Sequence, residues 1–189
     1  MRMQTPRVPP VQPEDWSDEQ RAIFGEVKMG GRILNIFKTL ANHPQLGKRW
    51  LVFANHIMGK SKISLREREI LILRIGWLCK SGYEWGQHVV IGRECDLSDA
   101  EMERIKLGAD AEGWTEQEAL LLKATDELHA DAFISNPTWA GLSKSYNTQQ
   151  LMDVVFTVGQ YNLVSMALNT LGVQLDEGME LDPELVRRA

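Results

Sequence analysis

Glu84 and His88 stand four residues apart in the stretch SGYEWGQH, Ser81 to His88, a spacing that stacks a carboxylate and an imidazole on one face of a helix. Such a pair can hold and pass a proton near neutral pH if its surroundings push the two pKa values apart. Glu69 is the candidate for a second carboxylate. It lies about three turns ahead of the break made by Ser81 and Gly82, and an antiparallel helix hairpin would return it to the Glu84/His88 pair. A plainer reading competes. Glu84 follows Ser81 by three residues, the spacing of a capping box that needs no chemistry. Glu69 belongs to the charged run RERE, which ordinarily marks a solvated helix face, and a single histidine is more often a hydrogen-bonded core or surface residue than a catalyst. From spacing alone both readings stay open.

The elements that must position these residues are helices. A Ser or Thr followed three residues later by Glu or Gln recurs at Ser17/Gln20, Ser64/Glu67, Ser81/Glu84, Ser98/Glu101 and Thr115/Glu118, with Asn147/Gln150 as a looser version. Between these starts apolar residues recur at three and four, as in Leu65, Ile70, Leu73, Trp77 and in Val154, Val158, Tyr161, Val164, Leu168. Alternating strand patterns and Asn-Gly or Asp-Gly hairpin turns are nearly absent. Gly30-Gly31, Gly108, Gly113 and Asn136-Pro137 punctuate the chain where helices should stop. The pattern predicts an all-α single domain with helices over 17–29, 32–41, 44–58, 65–79, 83–94, 99–107, 116–132, 137–145 and 148–172. Residues 1–15, rich in proline, read as an extended arm suited to lying on a neighbouring subunit, residues 16–172 as the helical domain, and 173–189 as a polar tail.

Composition narrows the function. At 189 residues the chain suits one domain. A net charge of −5, with no basic cluster longer than two residues, argues against a nucleic-acid partner. The longest apolar stretch, ILILRIGWLC, is interrupted by Arg74 and is half a membrane span, so no membrane partner is expected. The amino terminus lacks an apolar signal core. Cys79 and Cys95 are too few for a disulfide scaffold and read as buried structural thiols of a cytoplasmic protein. His43, His56, His88 and His129 form no HExxH and no paired Glu-x-x-His motif, so no metal is expected. No phosphate loop and no G-x-S-x-G elbow is present. Trp77, Tyr83 and Trp85 surround the break, as core packing or as the wall of a pocket for a flat, ring-containing substrate; Tyr83 could also donate to an enolate-like intermediate.

The segment SLREREILILRIGWLCKSGYEWGQHVVIGRECDLSDAEMERI resembles the core of the carboxymuconolactone decarboxylase and alkylhydroperoxidase D-like family. The resemblance covers roughly residues 35–172. It implies an all-helical bundle that assembles as a trimer or hexamer and uses no cofactor. It further implies that Glu69, Glu84 and His88 are the catalytic residues, with His88 as general acid or base, Glu84 orienting it and Glu69 completing the relay. Tyr83, Trp85, Ser81 and Asn169 are then the substrate contacts. In the peroxidase branch a CxxC pair would fall on Ser81 and Glu84, so the sulfur that thiol chemistry needs is missing here. The expectation is a cofactor-independent lyase or isomerase acting on a small cyclic or lactone carboxylate. The alternatives are a non-catalytic helical oligomer that binds a small ligand, and a residual alkylhydroperoxidase. Assembly also has a support in the residues themselves, because Phe37, Trp50, Phe53 and Ile57 recur at helical spacing as an apolar face to be covered.

Overall fold

A computed structural model describes residues 3–27 and 31–187. Among them ten α-helices and no strand are found, so the all-α reading holds. The helices are α1 (Asp18–Phe24), α2 (Asn35–Leu40), α3 (Pro44–Gly59), α4 (Leu65–Leu78), α5 (Gly82–Glu94), α6 (Asp99–Leu107), α7 (Glu116–Asp131), α8 (Asn136–Leu142), α9 (Thr148–Leu171) and α10 (Pro183–Arg187). Reciprocal capping boxes open α1, α4, α6, α7 and α9, each from the Ser, Thr or Asn expected to do so. Only the box expected at Ser81/Glu84 does not form.

The centre of the bundle is α4. Arg68 through Trp77 are all buried, because α5, α6, α7 and α9 surround the helix. A helix buried on every side cannot show a polar stripe, which is why the ILILRIGWL run is apolar except for Arg74, itself buried and paired with Asp126 at 2.6 Å. The RERE run is therefore not a solvated face at its inner half: Arg68 is buried and Glu69 is 0% exposed.

Several boundaries differ from the sequence pattern for local reasons. The first helix ends at Phe24 rather than continuing to 29; positions 28–29 and Gly30 lie outside the described residues. The start of α2 is delayed to Asn35, whose backbone N–H donates to Asp176 Oδ1 at 2.8 Å and whose side chain donates to the carbonyls of Gln174 and Leu175. Asn136-Pro137 opens α8 instead of closing α7, with Ser135 as its N-cap; α7 stops at Ala132, in the left-handed region at φ 55°.

The described segments before α1 and after α9 both pack on the domain. The arm is extended only as far as Gln12, since Pro13–Asp15 form a short 3-10 helix, and it lies on its own chain: the Arg7 and Val8 amides donate to the Leu171 carbonyl, and the Val11 amide to that of Lys38. The segment after Gly172 is polar in composition yet is no free tail. Leu185 is buried in the cluster that holds Trp77 and Trp85, and Lys106 Nζ meets Asp182 at 2.7 Å. The apolar row thought to need a partner is also used internally, since Phe37 and Ile57 are buried, and Trp50 and Phe53 pack against the cores of their own chain. By length and composition α9 could cross a membrane, but 56% of that window is buried within the chain, which makes it a core helix.

Candidate functional site

The turn between α4 and α5 determines what Glu84 can do. Gly76 and Trp77 carbonyls accept from the amides of Ser81 and Lys80 at 2.9 and 3.0 Å, the paired closure of a Schellman motif. Lys80 supplies the left-handed residue at φ 53°. The break thus lies at Lys80, and Gly82 is already inside α5. The Ser81 amide, which a capping box would offer to Glu84, is committed to Gly76. Ser81 Oγ is buried and accepts from no helix amide. Glu84, in the positive first turn of α5, is consequently free to turn inward. Gly76 makes room for it: a Cβ there would stand 3.3 Å from Glu84 Cγ.

Inward lies His88. Its Nε2 is 3.0 Å from Glu84 Oε1, and its Nδ1 is 2.6 Å from Glu69 Oε2. The α4–α5 hairpin therefore brings Glu69, Glu84 and His88 together. The Glu84 contact has the distance of an ion pair but not the alignment of a hydrogen bond, so Oε1 is a buried acceptor with no aligned donor. Behind Glu69 stands Arg68, its Nε 2.8 Å from Oε1; the same guanidinium donates to the Met58 carbonyl and reaches Cys95 Sγ at 3.9 Å. With both carboxylates ionised and His88 protonated, the four charges cancel, which is how a buried cluster of this kind is tolerated.

Burial alone would lower the His88 pKa, but the carboxylates of Glu69 and Glu84 outweigh it and raise it to about 10. Burial likewise pushes the Glu69 carboxyl up, and His88 and Arg68 bring it below the usual glutamate range. The Tyr161 ring sits edge-on to His88, centroids 4.9 Å apart at 85°, and its hydroxyl lies 2.9 Å from Met58 Sδ. Burial and the nearby Glu84 and Glu69 raise the Tyr161 pKa well above that of a free phenol.

A cavity of about 500 Å³ opens in front of this cluster. Glu84, His88, Gln87 and Tyr83 are among its polar lining residues, and Phe37, Trp50, Met58 and Tyr161 among its apolar ones. The Tyr83 hydroxyl is already engaged: it donates to Asp176 Oδ2 at 2.5 Å and accepts from the Ile36 amide. Asp176 also accepts from Gln87 Nε2 at 2.7 Å, so the C-terminal segment fixes two of the lining residues. Among the described lining residues no lysine or arginine occurs, whereas Glu26 and Glu84 do.

Three of the expected contacts lie elsewhere. Trp85 is packed against Trp77, ring centroids 4.9 Å apart, in a separate core. Asn169 donates to the Cys79 carbonyl at 2.9 Å and so secures the end of α4. Ser81 is buried in the turn and does not line the cavity. Neither cysteine lines it: Cys79 Sγ is 3.0 Å from Asn162 Oδ1, and burial pushes the Cys95 thiol up, away from thiolate. Arg68, Gln87, Tyr161 and Asp176 are participants that spacing did not single out. For Arg68 a signal was available, since a cation next to Glu69 directly before the largely apolar ILILRIGWL run can enter the core with that carboxylate as its partner. For Asp176, in a stretch that reads as tail, none was. Among the described residues no group of three or more His, Cys, Asp or Glu is placed to hold a metal ion.

Residues 44–127 match the Carboxymuconolactone decarboxylase family. Among curated proteins, none matches the chain. Similar solved structures include an uncharacterized peroxidase-related protein with an alkylhydroperoxidase AhpD core from Ralstonia eutropha JMP134, at a TM-score of 0.80 and 17% identity over 93% of this chain and 94% of that one. Another is an uncharacterized peroxidase-related protein from Silicibacter sp. TM1040, at 0.76 and 18% over 97% of each. A third is a variant of the debrominase Bmp8 in complex with 2,3,4-tribromopyrrole, at 0.76 and 12% over 92% of this chain and 94% of that one. At these identities the likeness is one of fold.

Proposed function

We propose, from the match of residues 44–127 to the carboxymuconolactone decarboxylase family and the geometry of the cavity, that the cavity is a cofactor-independent proton-transfer site. The observation that carries this reading is Glu84: a cavity-lining carboxylate, buried, with Oε1 left without an aligned donor and the line His88–Glu69–Arg68 behind it. A carboxylate that no amide or hydroxyl holds has a lone pair to offer to an acidic C–H.

In the proposed reaction Glu84 takes a proton from the carbon beside a substrate carbonyl and returns it at a second carbon, so that a carbon–carbon double bond migrates with no net gain or loss of atoms. His88, protonated between two carboxylates, balances the charge of Glu84 before transfer and is itself held by Glu69. This assigns the substrate-facing role to Glu84 and the supporting role to His88, the reverse of the division that the resemblance implies. The size and lining of the cavity suit a small ring-containing carbonyl compound. A carboxylate on that substrate would find two glutamates and no described lysine or arginine, so an uncharged lactone or cyclic ketone fits better than a ring carboxylate.

The test is solvent deuterium incorporation, followed by proton NMR across a panel of unsaturated lactones and cyclic enones. The native protein is expected to label at least one of them, and Glu84→Gln to slow labelling by about 10²–10⁴-fold, the usual worth of a positioned acid or base. Equal rates in both proteins would remove Glu84 from the chemistry. Tight ligand binding with no labelling anywhere would favour a binding protein instead.

A further inference from the structure

A proton transfer to Glu84 creates a second charge that needs a partner. As the substrate C–H bond breaks and an O–H bond forms on Glu84, the C–H electron pair moves into a new carbon–carbon double bond. The carbonyl oxygen becomes an enolate oxygen, and in a cavity with apolar walls it must be met by a positioned donor. The lining side chains that can donate are mostly committed. The Tyr83 hydroxyl and the Gln87 amide each give a proton to Asp176, and both ring nitrogens of His88 face carboxylates. Asn55 is exposed and Trp50 half-buried, so water competes for both.

Tyr161 is placed differently. It is 8% exposed and lines the cavity, and among the described residues its hydroxyl has one partner, Met58 Sδ at 2.9 Å. A thioether sulfur is a weak acceptor, so a good donor is held here by a partner that a carbonyl oxygen would replace. Met58 lines the same cavity, and the Tyr161 ring is set edge-on against His88, next to the base. The electrostatics have the right sign. After burial, the ionised Glu84 does most to raise the Tyr161 pKa. Once Glu84 is protonated, that charge has passed to the substrate oxygen, and the phenol becomes a better donor as the anion forms. Such a bond is stronger in the transition state than in the ground state, which is the condition for it to accelerate the reaction. We propose that Tyr161 is the donor to the substrate carbonyl oxygen, leaving Met58 Sδ to hold the enolate that Glu84 generates. The cavity then selects compounds that place one oxygen on Tyr161 and the adjoining C–H on Glu84.

This assignment rests on the proton-transfer reading, but its main test needs no turnover. In Glu84→Gln the amide stands for the protonated base. Pentafluorophenolate stands for the enolate, and pentafluorotoluene is its oxygen-free counterpart; fluorine NMR titration gives both affinities. Tyr161→Phe, made in the Glu84→Gln protein, is expected to weaken pentafluorophenolate by about 10–100-fold, the worth of a hydrogen bond to a charged group, and to leave pentafluorotoluene unchanged. Tyr146→Phe removes a hydroxyl bonded to Glu67 away from the cavity and should change neither. Equal losses for the two probes would reduce Tyr161 to ring packing and overturn the proposal, as would an unchanged phenolate affinity or no phenolate binding to Glu84→Gln. On any compound that the native protein labels with deuterium, Tyr161→Phe should lower kcat by about 10²–10³-fold, and a change in KM alone would overturn the role. The two readings fail separately. Labelling that depends on Glu84 but not on Tyr161 removes the donor and keeps the base, whereas selective loss of phenolate with no labelling of any compound keeps the oxyanion site and removes the base.

Discussion

The starts of α5 and α6 carry the same signature, Ser-x-x-Glu, and use it in opposite ways. At α6, Ser98 Oγ accepts from the Glu101 amide at 3.3 Å while Glu101 Oε2 accepts from the Ser98 amide at 2.9 Å, with Ser98 exposed and Glu101 half-buried against Arg66. At α5 the Ser81 amide is already taken by Gly76, so Glu84 has no cap to make and instead points at His88. What separates them is the preceding chain. A helix that ends immediately before the next begins uses up the N-cap amide in its own C-terminal closure, and the third residue of the new helix becomes available for other work.

The comparison breaks most severely at the charge cluster. Glu69→Ala leaves Arg68 and His88 buried without their common carboxylate and is expected to cost about 3–5 kcal/mol, read from chemical denaturation; a loss under about 1 kcal/mol would mean that the cluster does not pair as described. Gly76→Ala should come next, at about 1 kcal/mol, because its methyl would stand 3.3 Å from Glu84 Cγ and the glutamate must shift by a few tenths of an ångström. At the cap itself the contrast is sharpest: Ser98→Ala should lose about 1 kcal/mol, whereas Ser81→Ala should lose nothing measurable, since Ser81 Oγ caps no amide. Similar losses at both would show that Ser81 caps α5 after all.

The pH dependence of stability sharpens the same point. His88 has a folded-state pKa raised to about 10, so its stabilisation is full below the unfolded value near 6.5 and is lost as pH rises toward 10. Glu69 is depressed, so its contribution is full above its unfolded value and is lost on acidification. The difference in melting temperature between the native protein and His88→Gln should therefore shrink from pH 6 to pH 10. Glu101, held down to about 2 chiefly by Arg66, should impose no such alkaline slope, and a pH-independent difference for His88→Gln would mean that His88 is not the charged partner.

Helices, caps and the hairpin at Ser81 are legible in the residues because they depend on neighbours within four positions. Ser64, Ser98, Thr115 and Asn147 announce their helices, and a buried α4 follows from a run with no polar face. The return of Glu69 to His88 is likewise a matter of helix length and one turn. What the chain alone does not carry is which copy of a repeated signal is already satisfied. Ser81-x-x-Glu84 and Ser98-x-x-Glu101 are equivalent as strings. The choice between cap and cavity rests on a hydrogen bond to Gly76 and on the gap that its missing Cβ leaves. The same holds for Asp176, whose place beside Tyr83 and Gln87 depends on a chain that returns across more than eighty residues, and for Trp85 and Asn169, which lie near the break in sequence or in fold but face a different core and a different carbonyl. Local sequence determines the elements and their caps; which side chain is left without a partner is decided only when all the elements have packed.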